Sequence, residues 1–272
     1  MLKNFCRTAI ALILVTSAVA ATSAFAFTGF TGDVEADFDT VSGSEYIADP
    51  NGIDVGLPPG ITSTGNELLG LAWHYDPDVE NGTLFIGFNI FGIAGDVDGD
   101  GDPNGTSPEL LALGGFDFAH SATAEAFALS LDVTGDGVYD IIAGVAPSDI
   151  WGGFQVVEFN GSPYAPVFAF GNPIAGITGE LYNYEGDGEP SAARPDIEFA
   201  IHGLKSQGIY DTSNLGDFQA FIGSFADAGI GEDYIIAAFH VPEPGHLMLA
   251  GSGIVFLIGI ARRRFTAKRK NG

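Results

Sequence analysis

Cysteine is almost absent: of 272 residues only Cys6 carries a thiol, and it lies within a stretch that reads as a removable leader. A chain without it has no disulfide framework, no thiolate zinc site and no cysteine nucleophile. Basic residues are nearly as scarce, ten against 35 acids, for a net charge of −25. Eight of the ten lie at the ends, which leaves Arg194 and Lys205 against 34 acids in residues 27–240, a net charge of −32. Such a surface repels nucleic acid and anionic lipid, attracts divalent cations and strains the compact state by self-repulsion. Also missing are a GxSxG elbow, an HExxH helix, a P-loop and a GxGxxG fingerprint. The five histidines (His74, His120, His202, His240, His246) show no metal-ligand spacing. Acids are so numerous that some pair must fall at glycosidase separation by chance, and that removes its weight.

The two ends read as addresses. Lys3 and Arg7 form a basic region, residues 9–21 an apolar one, and Ala24-Phe25-Ala26 a small-residue cleavage site. Residues 1–26 therefore have the form of a signal peptide, for the Sec translocon and signal peptidase, with the mature chain starting near Phe27. At the other end Val241, Pro242, Glu243, Pro244 and Gly245 precede an uncharged run, Leu247 to Ala261. As a helix the run spans about 22 Å, short of the roughly 30 Å bilayer core, and so is a marginal anchor. Arg262, Arg263, Arg264, Lys268, Arg269 and Lys270 follow, and such a cluster prefers the cytoplasmic side. The two prolines keep the connector extended. An ordinary single-span anchor or a buried core helix is the alternative.

Proline-bracketed glutamate, short apolar span and terminal arginine cluster, in that order, closely resemble the PEP-CTERM sorting signal. The resemblance covers residues 241 to about 264, within a tail of residues 241–272. It implies processing by an exosortase, an integral-membrane enzyme of Gram-negative bacteria that make exopolysaccharide. Val241, Pro242, Glu243 and Pro244 are then a substrate for another enzyme, and the inner membrane holds the chain only transiently.

Between the ends the sequence is rich in Phe, Ile, Leu, Val and Ala, enough for a substantial core. Residues 27–65 read as loops and short strands. Glu67 to Tyr75 and Thr83 to Phe91 are strand-like runs joined by DPDVENG, whose Asn81-Gly82 pair favours a hairpin. Further strands are expected at Glu125–Leu131, Val138–Val145, Phe154–Phe159, Pro166–Phe170, Glu180–Tyr184, Asp196–Ile201, Phe218–Phe225 and Tyr234–His240. Short strands separated by Gly, Pro, Asn and Asp predict a mostly antiparallel β-sandwich or jelly roll over residues 27–240, flanked by an N-terminal signal helix and a C-terminal hydrophobic helix. No interior boundary divides this stretch.

Two segments carry the most chemistry. Asp96, Asp98, Asp100, Asp102 and Asn104 alternate around glycines, and Asp132, Thr134, Asp136, Val138 and Asp140 repeat the pattern with Val138 offering its carbonyl. This spacing lets a tight loop turn oxygens toward one hard cation. Both resemble the calcium loops of EF-hands, dockerins and integrin-type repeats, which implies a structural Ca2+. The twelfth positions, Ser107 and Ala143, depart from the EF-hand pattern, so the hairpin version fits better; Glu109 is available to complete the first site. Acidic solvated turns are the alternative.

The expected function is that of an exported, non-enzymatic protein of the cell envelope, cell surface or exopolysaccharide matrix, structural or binding. A carbohydrate-binding version places Trp73, Tyr75 or Trp151 on a sugar-stacking face; His74, between the first two, fits either a cleft or a packed position. The rival is a secreted hydrolase of matrix polysaccharide.

Overall fold

The structure is a computed structural model that describes residues 27, 29–52, 65–103, 105–112, 117, 125–145, 153–161, 170–182, 191–210, 215–224 and 232–238. The signal peptide and sorting tail expected at the ends, with their helices, lie outside the described residues. Among those described, no helix is long and apolar enough to cross a membrane. The fold is mostly β: two antiparallel sheets, of five and six strands, and few helices. The chain divides into two compact units, each assembled from three stretches. The first draws on residues 1–76, 84–120 and 180–200, the second on 77–83, 121–179 and 201–272.

The first unit is organised on the five-stranded sheet. Its strands are β1 (Glu45–Ala48), β2 (Leu68–Asp76), β3 (Thr83–Ile90), β8 (Thr178–Tyr182) and β9 (Ile197–His202), in the order β1-β2-β3-β9-β8. Strand β1 pairs antiparallel with β2, Glu45 opposite Trp73. The β2–β3 turn takes positive φ at Glu80 (40°), Asn81 (63°) and Gly82 (90°), as the Asn-Gly pair predicts. Strands β2, β3 and β9 are buried along most of their length, so apolar residues occupy both faces and the polar ones among them, such as Asn89 and Glu198, are buried too. A short helix, α1 (Val34–Phe38), covers part of this sheet. Asp33 caps it by accepting from the Ala36 N–H at 3.0 Å. Val34 and Phe38 pack with Ala72, Phe27, Phe30 and Phe85. Gly87 of β3 lies so close beneath that a Cβ there would meet Val34 at 2.5 Å, which is why the strand carries glycine at that point.

The six strands of the second unit are β4 (Glu125–Leu131), β5 (Ile141–Val145), β6 (Phe154–Phe159), β7 (Phe170–Pro173), β10 (Asp217–Ser224) and β11 (Glu232–Ala238). Strands β4 to β7 form a meander, and the β10–β11 hairpin adds beside β4, giving the order β11-β10-β4-β5-β6-β7. Ala128, Ile142, Val157 and Phe170, one from each of four neighbouring strands, form a cluster with Phe159 against it. Phe127, Leu129 and Leu131, pointing to the opposite face of β4, are buried as well.

Most strands fall within a residue or two of their expected places. Strand β5 differs, starting at Ile141 and not at Val138, because Val138, Tyr139 and Asp140 are used by the loop before it. Val138 is 59% exposed. Strand β7 begins where Pro166–Phe170 was expected to end, and residues 166–169 lie outside the described ones. Strand β8 starts at Thr178, two residues ahead of its expected start. Neither α1 nor α2 (Pro108–Ala112) follows from hydrophobic periodicity, since each is one turn long.

Candidate functional site

The two aspartate loops are built on the same plan. In each, the first residue is buried and its carboxylate faces into the turn it opens. Asp132 Oδ2 accepts from the Gly137 N–H at 2.8 Å, and Asp96 Oδ2 accepts from the Gly101 N–H at 2.9 Å. Both bonds run from the sixth residue to the first. Glycines at the fourth and sixth positions take positive φ, 73° and 93° at Gly99 and Gly101, 71° and 84° at Gly135 and Gly137. Side chains with a Cβ rarely adopt that backbone, so the alternation of acid and glycine is what the turn requires.

In the second loop, Asp132 Oδ1 also accepts from the N–H groups of Thr134 (3.1 Å) and Gly135 (2.6 Å). Backbone bonds fix its base: the Asp132 N–H donates to Asp217 O, and the Gly216 N–H to Asp132 O. Asp140, at the ninth position, closes the loop by accepting from the N–H groups of Val133 and Thr134, both at 3.0 Å on Oδ2. Asp136 is exposed and accepts from the Val138 N–H. Beside the loop lies a hollow of about 400 Å³ lined by Val138, Tyr139, Phe159, Asn160 and Asp217, in which the Tyr139 and Phe159 rings meet edge to face at 5.5 Å.

In the first loop the two N–H groups at the second and third positions have another partner. Val97 N–H (2.8 Å) and Asp98 N–H (3.3 Å) both donate to Oδ1 of Asp117, 20 residues downstream of Val97. Asp117 thus stands where Asp140 stands in the second loop, brought by tertiary structure and not by spacing. Its own N–H donates to Thr106 Oγ1 at 2.9 Å. Asp98 Oδ2 accepts from the Ser107 N–H at 2.7 Å, tying the loop to the residue before α2. One oxygen from each of Asp96, Asp98 and Asp117 lies within 4.8 Å of the other two.

Of the residues singled out in the sequence, Asp96 and Asp98 therefore meet, while Asp100 and Asp102 are exposed and outside the group. Glu109 is also exposed and outside it, and Asn104 lies outside the described residues. Asp132, Asp136 and Asp140 do not converge in this way among the described residues. Burial, first, and then the charge of Asp98 push Asp117 up to about 6; burial raises Asp96 likewise, against the N–H bonds from Gly101 and Gly99. The signal for Asp117 was present in the sequence as a lone acid between Phe116 and Phe118 in an apolar stretch. Such an acid is either buried with donors or out of place.

Of the three aromatic residues named for a sugar-stacking face, two are among the described residues. Trp73 is 3% exposed, on a strand buried on both faces, and offers no face to a sugar. Tyr75 is half-buried at the end of β2, and Trp151 and the Val241–Pro244 motif lie outside the described residues. His74 is packed with Phe27 and Phe85, and burial lowers its pKa.

A third acidic group holds the start of the described chain. Asp196 accepts from the N–H groups of Val34 and Ile90 (both 2.9 Å), and Glu198 Oε2 from the Gly32 N–H at 2.6 Å. Glu198 is fully buried; that burial, then Asp37, pushes it up to about 9, and burial pushes Asp196 up to about 6.

No protein-family model matches the chain, nor does any curated protein or solved structure match it.

Proposed function

We propose that the chain is an exported, non-enzymatic protein of a Gram-negative cell envelope or exopolysaccharide matrix, whose two aspartate loops hold structural calcium. Export runs through the Sec translocon and signal peptidase, and an exosortase processes the tail at Val241–Pro244. On this reading residues 27–240 form a β-sandwich or jelly roll that serves as a scaffold or a carbohydrate-binding module. The single observation that carries the calcium part is the repeated wiring of the loops. Twice, a buried first aspartate is held by the N–H of a sixth-position glycine, with a second acid answering the N–H groups at positions two and three. All donors are oxygens, the set a hard divalent cation prefers.

A non-enzymatic role is supported by the place of Glu198, the acid with the most strongly raised pKa, and of Asp196 beside it. Glu198 and Asp196 are buried and occupied with the backbone of residues 32–34, out of reach of a polysaccharide. The sugar-facing surface of this reading is the hollow beside Tyr139 and Phe159.

Melting of the full chain with Ca2+ and with chelator tests the first part. Each ion at ten times its dissociation constant should add about 1.4 kcal/mol. No shift returns both loops to acidic turns. For sorting, deletion of the exosortase in the producing cell should leave the chain in the inner membrane with its tail intact. Unchanged release would remove that part of the reading.

A further inference from the structure

We propose that Asp117 is a ligand of the first loop's cation, which is held by Asp96, Asp98 and Asp117 and not by the run Asp100, Asp102 and Asn104. The inference rests on the calcium reading above and changes which residues carry it. Three observations support it. The three carboxylates converge, one oxygen from each within 4.8 Å of the others. Two oxygens on opposite sides of a calcium ion, each at 2.3–2.6 Å, are about 4.6–5.2 Å apart, so this spacing suits a single ion among them.

Asp117 itself is the second observation. It is 7% exposed, Oδ1 is taken by the N–H groups of Val97 and Asp98, and Oδ2 is buried with no hydrogen-bond partner among the described residues. A buried carboxylate oxygen without a donor, among carboxylates of the same sign, calls for a cation. Third, the acids further along the loop are turned to other work. Asp100 Oδ1 accepts from the Asp102 N–H, and both side chains are in solvent. The ion would therefore bind residue 117 to residues 96–98, closing a stretch of chain that local loop ligands alone would leave open.

Isothermal titration of the chelated full-length protein with CaCl2 alone tests this, alongside Asp117→Asn, Asp98→Asn, Asp102→Asn and Asp136→Ala. Asparagine at 117 can still accept from Val97 and Asp98 but brings no charge. Expected are two ions for the parent and for Asp102→Asn. Asp117→Asn and Asp98→Asn should each weaken one site by about tenfold or more, and Asp136→Ala should weaken the other. A parent that binds calcium while Asp117→Asn binds it equally well overturns the assignment of Asp117 and leaves the calcium reading standing. A parent that binds none overturns both. Should Asp117→Asn lack a cooperative melt in chelator, Asp98→Asn decides: undiminished affinity there overturns the three-carboxylate site.

Discussion

The second aspartate loop closes on itself, and the first closes on a distant residue. Asp140 reaches back seven residues to the Val133 N–H, so the answering acid arrives with the turn. Asp117 does the same for Val97 and Asp98, but only after α2 and a return of the chain. Self-closure surrounds Asp132 with N–H donors and keeps the acids of its loop from converging. Closure from outside gathers three carboxylates and leaves one buried oxygen unanswered. One sequence pattern therefore yields two arrangements: acids bonded to the N–H groups of their own loop, and three carboxylates brought together with one buried oxygen among them.

The largest expected effect tests the shared part of the plan. Asp132→Ala removes the acceptor of the Thr134, Gly135 and Gly137 N–H groups at once. Hydrogen bonds to charged groups contribute about 1.5–3 kcal/mol each, and the exposed loop recovers part of the loss by hydration, so about 3 kcal/mol of destabilisation is expected. Asp96→Ala in chelator should cost less, about 2 kcal/mol, because it also relieves repulsion among the converging acids. Urea denaturation in chelator measures both. Equal losses would break the distinction between the loops.

The Asp196–Glu198 pair sharpens the comparison by showing burial of acids without a loop. A carboxyl raised by folding contributes stability that is fully present below its unfolded value and is lost as pH rises through the folded one. Asp196 operates between 3.8 and about 6, and Glu198 between 4.5 and about 9. Their joint contribution should fall most steeply between about pH 4.5 and 6, then more slowly towards pH 9. Glu198→Gln retains an acceptor for the Gly32 N–H without the charge. It should raise stability at pH 8 by on the order of 2 kcal/mol and flatten the decline above pH 6. Melting temperatures from pH 5 to 9 report this; an unchanged slope in the variant would place the sensitivity elsewhere.

How much of this was legible in the sequence follows from how local each feature is. The acid–glycine alternation of both loops, the Asn81-Gly82 turn and most strands were, because each depends on neighbours a few residues away. The start of β5 was misplaced, since Val138 and Tyr139 look like strand residues and are held in the loop by what Asp140 bonds to. Trp73 was placed on a sugar-stacking face for its aromatic side chain alone, whereas the lack of polar alternation along β2 signals burial on both sides. That Asp117, a lone acid in an apolar stretch, meets residues 96–98, and that β10 lies beside β4, depend on long-range return of the chain, for which no local pattern names the partner.

The smallest expected effect is also the sharpest, because the two closing acids should respond with opposite signs. Asp140→Asn keeps an acceptor for Val133 and Thr134 but loses the charge-assisted part of both bonds, a destabilisation of about 1 kcal/mol. Asp117→Asn loses the same part, yet it removes a carboxylate that burial and Asp98 have pushed up to about 6. Stability tied to such a group is complete below about 3.8 and gone above about 6, so at pH 7.5 the ionised form is a net cost to the fold. In chelator the variant should therefore be more stable than the parent, by about 1 kcal/mol once solvent screening is allowed for. Saturating Ca2+ should reverse the order, since the parent gains an ion that the variant holds poorly. Two melts of each protein suffice, and a destabilised Asp117→Asn in chelator would mean that the hydrogen bonds Asp117 accepts outweigh the repulsion it adds to the first loop.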